Sequence, residues 1–190
     1  TMKAGHDAPL VVFSNCERVQ VHIGGQQRGE FIPARDRFPH LPHPPFFCTG
    51  LGTLWGPSWQ ELRLVGLVGG KAVAEQRFPA HNDATGLAVS IDDRTLNADG
   101  SDMTRVLICH TDAFGNVQNH SRVAVLLDVA GPATLVGPSP CALAGGIAGV
   151  YLRAGTVPGR VTLTVSAPEL GQTQRVRVDV RRKDAGVRRS

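Results

Sequence analysis

The strongest constraint on this chain is a period of two. In "RVQVHI" (18–23), Val19, Val21 and Ile23 alternate with Arg18, Gln20 and His22. In "QRVRVDVR" (174–181), Val176, Val178 and Val180 alternate with Arg175, Arg177, Asp179 and Arg181. Successive side chains of an extended strand point to opposite faces, so such a segment hides one face and wets the other. No window sustains the 3.6-residue repeat of an amphipathic helix. The chain is expected to be all-β.

Glycine pairs punctuate the pattern. Gly24-Gly25 follows the first strand, with "QQRGEFI" returning, and Gly69-Gly70 separates "ELRLVGL" (61–67) from "KAVAEQRF" (71–78). Glycine adopts positive φ without steric cost, which a two-residue hairpin turn requires. "VVFSN" (11–15) opens this series as a short apolar run. A second series runs through "LAVSI" (87–91), "RVLICHT" (105–111), "RVAVLLDVAG" (122–131), "GIAGVYLRA" (146–154) and "RVTLTVSA" (160–167). Between them lie loops such as "DAFGN", with Asp at its start and Gly near its end. Short alternating strands with regular turn signals predict two tandem immunoglobulin-like antiparallel β-sandwich domains. The polar stretch "PAHNDATG" (79–86) has nothing to pack, which places the domains at 1–82 and 83–190.

The net charge is only +4, much of it in "RRKDAGVRRS", where Arg181, Arg182, Lys183, Arg188 and Arg189 cluster. That tail reads as a solvated terminus and not as a nucleic-acid arm, so no nucleic-acid partner is expected. Cys16, Cys48, Cys109 and Cys141 form no C-x-x-C pair, which excludes zinc-ribbon and thioredoxin-type spacing. Cys16 and Cys109 sit in apolar runs and read as buried thiols, while the redox compartment and the pairing stay open. "TMKAGHDAPL" lacks the basic and apolar segments of a secretory leader. The most apolar region, 123–152, is interrupted by Asp128, three prolines and several glycines, so no membrane partner is expected. Opening on Thr1, with a strand almost at once, the chain reads as a piece of a longer polypeptide.

"HLPHPPFF" (40–47) carries His40 and His43, with His22 or His81 as a conceivable third imidazole. A zinc site needs three or four converging ligands. Pro42, Pro44 and Pro45 favour an extended polyproline run that would hold the two imidazoles roughly 9 Å apart. The segment therefore reads as a stiff crossover, and no metal or other cofactor is expected. "GLGTLWG" (50–56) precedes Pro57 and opens no helix, so it does not read as a phosphate loop. Trp55 and Trp59 could stack on a sugar ring or pack against a neighbouring domain. His40, His43, Trp55 and Trp59 are thus the candidate carbohydrate or interdomain contact residues. The acids Asp92, Asp93, Asp99, Asp102 and Asp112 fall in turns, where Asp caps its own backbone; their spacing matches no calcium loop. "GPSPC" is no nucleophile elbow, and no spacing supplies the facing carboxylates of a glycosidase. No catalytic residue is assigned.

The order of these pieces is similar to a known pattern. "VFSNCERVQVHIGGQQRG", "HLPHPPF" and "LRLVGLVGGKAVAEQ" resemble the accessory domain that follows the catalytic barrel in bacterial family 2 glycoside hydrolases, the β-galactosidase and β-glucuronidase relatives. Ser14-Asn15-Cys16, Gly24-Gly25, Val65-Gly66 and the run Gly70 to Glu75 occupy the family's places, with Gly24 where the family usually has Asn. "LNADGSDMTRVLICHTDAFGNVQNHSRVAVLLDVAGPATLVG" and "GIAGVYLRAGTVPGRVTLTVSAPEL" resemble the terminal immunoglobulin-like domain of the same enzymes. The family's acid/base glutamate follows an asparagine, and this chain holds no Asn-Glu dipeptide. A barrel of roughly 250 residues cannot fit either. The resemblance therefore implies a non-catalytic C-terminal fragment of an enzyme acting on O-glycosyl bonds. Its implied partner is the parent's catalytic (β/α)8 barrel, with carbohydrate as a second contact. Two rival readings are a stand-alone carbohydrate-binding module and a bacterial adhesion repeat, since the second half also resembles invasin-type domains.

Overall fold

A computed structural model describes residues 9–51, 60–81 and 85–182. The chain divides into two compact units, Thr1–Asn82 and Asp83–Ser190. No α-helix occurs among the described residues; the architecture is all-β, as two immunoglobulin-like sandwiches.

The first unit contains β1 (Leu10–Val12), β2 (Arg18–Ile23), β3 (Gln26–Phe31), β4 (Phe46–Cys48), β5 (Leu62–Val68) and β6 (Lys71–Phe78). Its main sheet has the order β3-β2-β5-β6, and β1 pairs with β4 in a second, two-stranded layer. The alternation of β2 is realised as expected, with Val19, Val21 and Ile23 buried. They meet Leu62, Leu64, Phe46, Cys48 and Leu51 in one apolar cluster. Fully burying an aliphatic or aromatic side chain of this kind stabilises by about 1.5–3 kcal/mol. Both hairpins turn on glycine pairs with positive φ, +56° and +81° at Gly24 and Gly25, +56° and +75° at Gly69 and Gly70.

The histidine loop departs from expectation. Residues 40–45 are not an extended polyproline run: His40 lies in a turn and His43 in a bend. Backbone hydrogen bonds explain the folding, with Phe38 N–H donating to Ala34 C=O, Leu41 N–H to Phe38 C=O, and Ala34 N–H to Pro45 C=O. These bonds, and burial of Pro44 and Pro45 against the core, outweigh the intrinsic preference of the prolines.

The second unit contains β7 (Thr85–Ile91), β8 (Thr95–Asn97), β9 (Met103–Asp112), β10 (Ala124–Ala130), β11 (Ala133–Val136), β12 (Cys141–Ala142), β13 (Ile147–Ala154), β14 (Gly159–Ala167) and β15 (Gln172–Arg181). A sheet of order β12-β10-β14-β15-β8 packs on one of order β11-β13-β9-β7. The shared core draws Val106 and Ile108 from β9, Val150 and Leu152 from β13, Val161, Leu163 and Val165 from β14, and Val176, Val178 and Val180 from β15. One ladder breaks the antiparallel rule, because β8 runs parallel to β15. Between Ile91 and Thr95 the chain passes from one sheet to the other, so β8 joins β15 by a crossover and not by a hairpin.

Candidate functional site

The sequence motifs of the first unit converge in space. Ser14, Asn15 and Cys16 lie between β1 and β2, and the Cys16 N–H donates to Ser14 Oγ at 3.1 Å. Cys16 is 5% exposed. Its thiol sits over Gly66 of β5, where a Cβ would stand 2.5 Å from Cys16 Sγ. Only a residue without a side chain permits this approach. The next residue, Glu17, accepts the Gly69 N–H on Oε2 at 2.8 Å, and its own N–H donates to Leu67 C=O at 2.9 Å. The segment 14–17 is thus a clasp that fixes the β5–β6 hairpin, which is a packing role.

Beside the clasp lies a cavity of about 180 Å³ lined by Val12, Phe13, Leu64, Gly66, Ala74 and Gln76, among others. Phe13 is 81% exposed and all of Lys71 to Gln76 is solvent-facing.

The opposite face of the main sheet is an ionic lattice. Arg63 donates from Nε and Nη2 to Glu75 Oε2 at 2.9 and 2.8 Å, and Arg77 grips Glu61 with two bonds of 2.9 Å. Arg18 and Gln20 both donate to Glu30, at 2.8 and 3.0 Å. The hydrogen bond from Gln20, then that from Arg18, lowers the Glu30 pKa; the Arg63 hydrogen bond does the same for Glu75.

In the second unit the acidic turns are engaged in the same way. Asp112, 7% exposed, accepts the N–H groups of Phe114 and Asn116 on Oδ1 and the Asn116 side-chain amide on Oδ2, at 2.8, 2.9 and 2.7 Å. Burial pushes the Asp112 carboxyl up, but the hydrogen bonds from Asn116 and Phe114 outweigh it and the pKa is lowered. Asp99 accepts the N–H groups of Ser101 and Asp102, both at 2.8 Å, and its pKa is lowered by them. Asp102 Oδ2 takes the Asn97 backbone and side-chain amides. Asp92 pairs with Arg105.

Of the candidate contact residues, His40 and His43 are exposed. Trp55 and Trp59 lie outside the described residues, as do residues 183–190 of the basic tail. Close in sequence to the two histidines, the Phe38 and Phe47 rings stack at 6.1 Å with an interplanar angle of 9°, and the Arg37 guanidinium stands 4.3 Å from the Phe47 centroid. Sequence reasoning missed this aromatic–cation cluster, although "RDRF" and "PFF" contain it, because the loop that joins them carries no periodic signal. His22 is half-buried in β2 and His81 is exposed. Among the described residues no three His, Cys, Asp or Glu side chains converge on one point. All four cysteines are free thiols; Cys16 and Cys48 are buried, and burial pushes the Cys48 pKa up to about 11.

Among the described residues, two buried imidazole nitrogens, Nε2 of His22 and of His110, have no hydrogen-bond partner. His110 faces the second core, with Nδ1 2.6 Å from Ser121 Oγ. Neither was singled out by the sequence as a buried group.

Comparison with known proteins places this architecture. Residues 87–176 match the family described as "Glycoside hydrolase family 2 C-terminal domain 5". A β-galactosidase of Rhizobium meliloti is 37% identical over 155 residues, which cover 76% of this chain and 20% of that protein. A Rhizobium radiobacter sequence named β-galactosidase is 36% identical over 126 residues, covering 66% of this chain and 91% of its own length. Among solved structures, a β-glycosidase from Bacteroides vulgatus superposes with a TM-score of 0.71 at 19% identity, over 92% of this chain and 22% of that one. The chain spans 20% to 23% of the length of the longer curated relatives it matches. With 91% of one such relative covered at 36% identity, the chain belongs to glycoside hydrolase family 2, within that family's C-terminal region.

Proposed function

We infer that this chain is a non-catalytic part of a β-galactosidase-like enzyme and that it packs against the parent's catalytic (β/α)8 barrel. Residues 1–82 would follow the barrel directly and 83–190 would come after them. The observation that carries the reading is how the carboxylates are used. Glycoside hydrolysis requires one carboxyl group that holds a proton near neutral pH, facing a second that is ionised. Every carboxyl group with a displaced pKa in the described residues, Glu30, Glu75, Asp99 and Asp112, is displaced downward by hydrogen bonds. These groups are occupied in holding strands and turns.

Packing is supported by the exposed apolar side chains of the first unit, Phe13, Ile32 and Val73. His40, His43, Trp55 and Trp59 are proposed as contacts to the barrel or to its carbohydrate. The exposed histidines and the neighbouring Arg37–Phe47 stack offer the mixed apolar and polar chemistry such a contact uses. The test is direct. The 190-residue chain should release no nitrophenol from nitrophenyl β-galactoside above buffer, while deleting it from the full-length enzyme should lower the thermal midpoint of hydrolysis. Turnover by the chain alone overturns the reading.

A further inference from the structure

One buried titratable group lies where the second unit changes sheets. The end of β9 pairs with residues 116–118 around the Thr111–Val117 bridge, and β10 then begins at Ala124 in the facing sheet. Residues 119–123 therefore cross over this end of the core. Backbone bonds hold the crossover: Ser121 N–H donates to Gln118 C=O at 2.8 Å, Gly146 N–H to Ser121 C=O at 3.1 Å, and Leu143 N–H to Val123 C=O at 2.9 Å.

The alternation of β9 puts His110 on the face of Val106 and Ile108, and it is 8% exposed. Its Nδ1 stands 2.6 Å from Ser121 Oγ in the crossover, while among the described residues its buried Nε2 has no partner. Of the two neutral tautomers, the one with its proton on Nδ1 is assigned. It donates to Ser121 Oγ and leaves only a bare lone pair at Nε2. The other would bury an N–H without an acceptor, which folded proteins rarely do.

An imidazolium donates from both nitrogens. With the crossover closed, its Nε2–H would be a charged donor enclosed without an acceptor, which is unfavourable. The surrounding elements offer little to such a cation. On β9 the Asp112 carboxylate already accepts from Phe114 and Asn116. Leu87 lies opposite on β7, and the 143–146 turn holds no titratable side chain. The crossover contributes His120 and Arg122 and the turn after β14 contributes Glu169, all exposed; β12 contributes the Cys141 thiol.

We propose that neutral His110 latches the 119–123 crossover, and that protonating its imidazole releases the crossover while the two sheets stay folded. Imidazole changes charge between about pH 5 and 8, above the range in which Asp112 and the other carboxylates titrate. The device belongs to the second unit and does not depend on the function proposed for the chain.

Hydrogen exchange of the chain at about pH 8 and about pH 5.5, corrected for intrinsic amide rates, tests this. Protection of peptides covering 116–124 and 141–147 should fall about ten-fold or more at the lower pH, while peptides covering 159–167 and 172–181 keep theirs. His110→Asn, which places an amide donor near the Nδ1 position and does not titrate, should abolish the pH dependence; His120→Asn, at an exposed position, should retain it. Nitrogen-15 NMR of the imidazoles reads the latch without any substitution: at about pH 8 the His110 proton should sit on Nδ1. Equal protection at both pH values overturns the proposal. So does an imidazolium signal from His110 with the crossover still protected, a proton on Nε2 at the higher pH, or a loss of protection spread evenly over every strand of the unit.

Discussion

Replacing Gly66 with alanine should destabilise the first unit, although the same change in an ordinary strand is stabilising. Alanine gains about 0.5–1 kcal/mol over glycine in a strand because the unfolded chain has less freedom to lose. Here the new Cβ would stand 2.5 Å from Cys16 Sγ and 3.4 Å from Ala74 Cβ. Non-bonded heavy atoms prefer about 3.5–4.0 Å, so the overlap with sulfur is roughly 1 Å. Cys16 is enclosed and has a single side-chain torsion, so relief requires the backbone of the 14–17 clasp to move. Overpacking of this kind costs about 1–3 kcal/mol, which leaves a net loss of about 1–2 kcal/mol. In a Cys16→Ala background the sulfur is gone, and Gly66→Ala should become neutral or stabilising by about 0.5 kcal/mol, a coupling well within the range of touching residues. The readout is thiol labelling of Cys48 across a urea series. Cys48 is buried with its pKa pushed up to about 11, so it reacts only when the first unit opens. With a urea slope of about 1–3 kcal/mol per molar, the single variant should shift its midpoint down by about 0.5–1 M. An equal loss in both backgrounds would refute the argument, because the penalty would then not come from the sulfur.

The Asp112 loop carries a pH signature in the second unit. Its folded pKa is lowered, so its contribution is present above the unfolded carboxylate value of about 3.9 and is lost as pH falls through the folded pKa. Asp112→Asn should cost about 1–3 kcal/mol at neutral pH and flatten the acid limb of a calorimetric stability profile; an unchanged slope below pH 4 would count against it. Gly131→Ala meets backbone that cannot yield: at φ +111° its Cβ would lie 2.3 Å from Arg160 C=O. It should lower the calorimetric midpoint of the second unit by about 4 °C or more, and an unchanged midpoint would mean that the turn is looser than it stands.

Local alternation determined the long strands. β2, β9, β14 and β15 were legible because burial on one sheet face imposes a period of two on any sequence that forms it, whereas β6, exposed from Lys71 to Gln76, was legible only as the return strand of a glycine hairpin. The glycine pairs at 24–25 and 69–70 were legible for a similarly local reason, the positive φ that their turns demand. The strands that sequence reading passed over, β4, β8, β11 and β12, have 3, 3, 4 and 2 residues, too few to display a period. The histidine loop was misjudged as extended because its folding depends on hydrogen bonds from Ala34 and Phe38, outside the proline run. The clasp and the cavity beside it belong to tertiary structure alone. Cys16 and Gly66 are fifty positions apart in the chain, and no local pattern says that one thiol will rest on one bare Cα. Nor can a strand's own sequence reveal how many neighbours the facing layer supplies. Among the described residues that number follows from topology, and Ala74 stands exposed opposite Gly66 although its neighbour Leu64 is buried on the same sheet face.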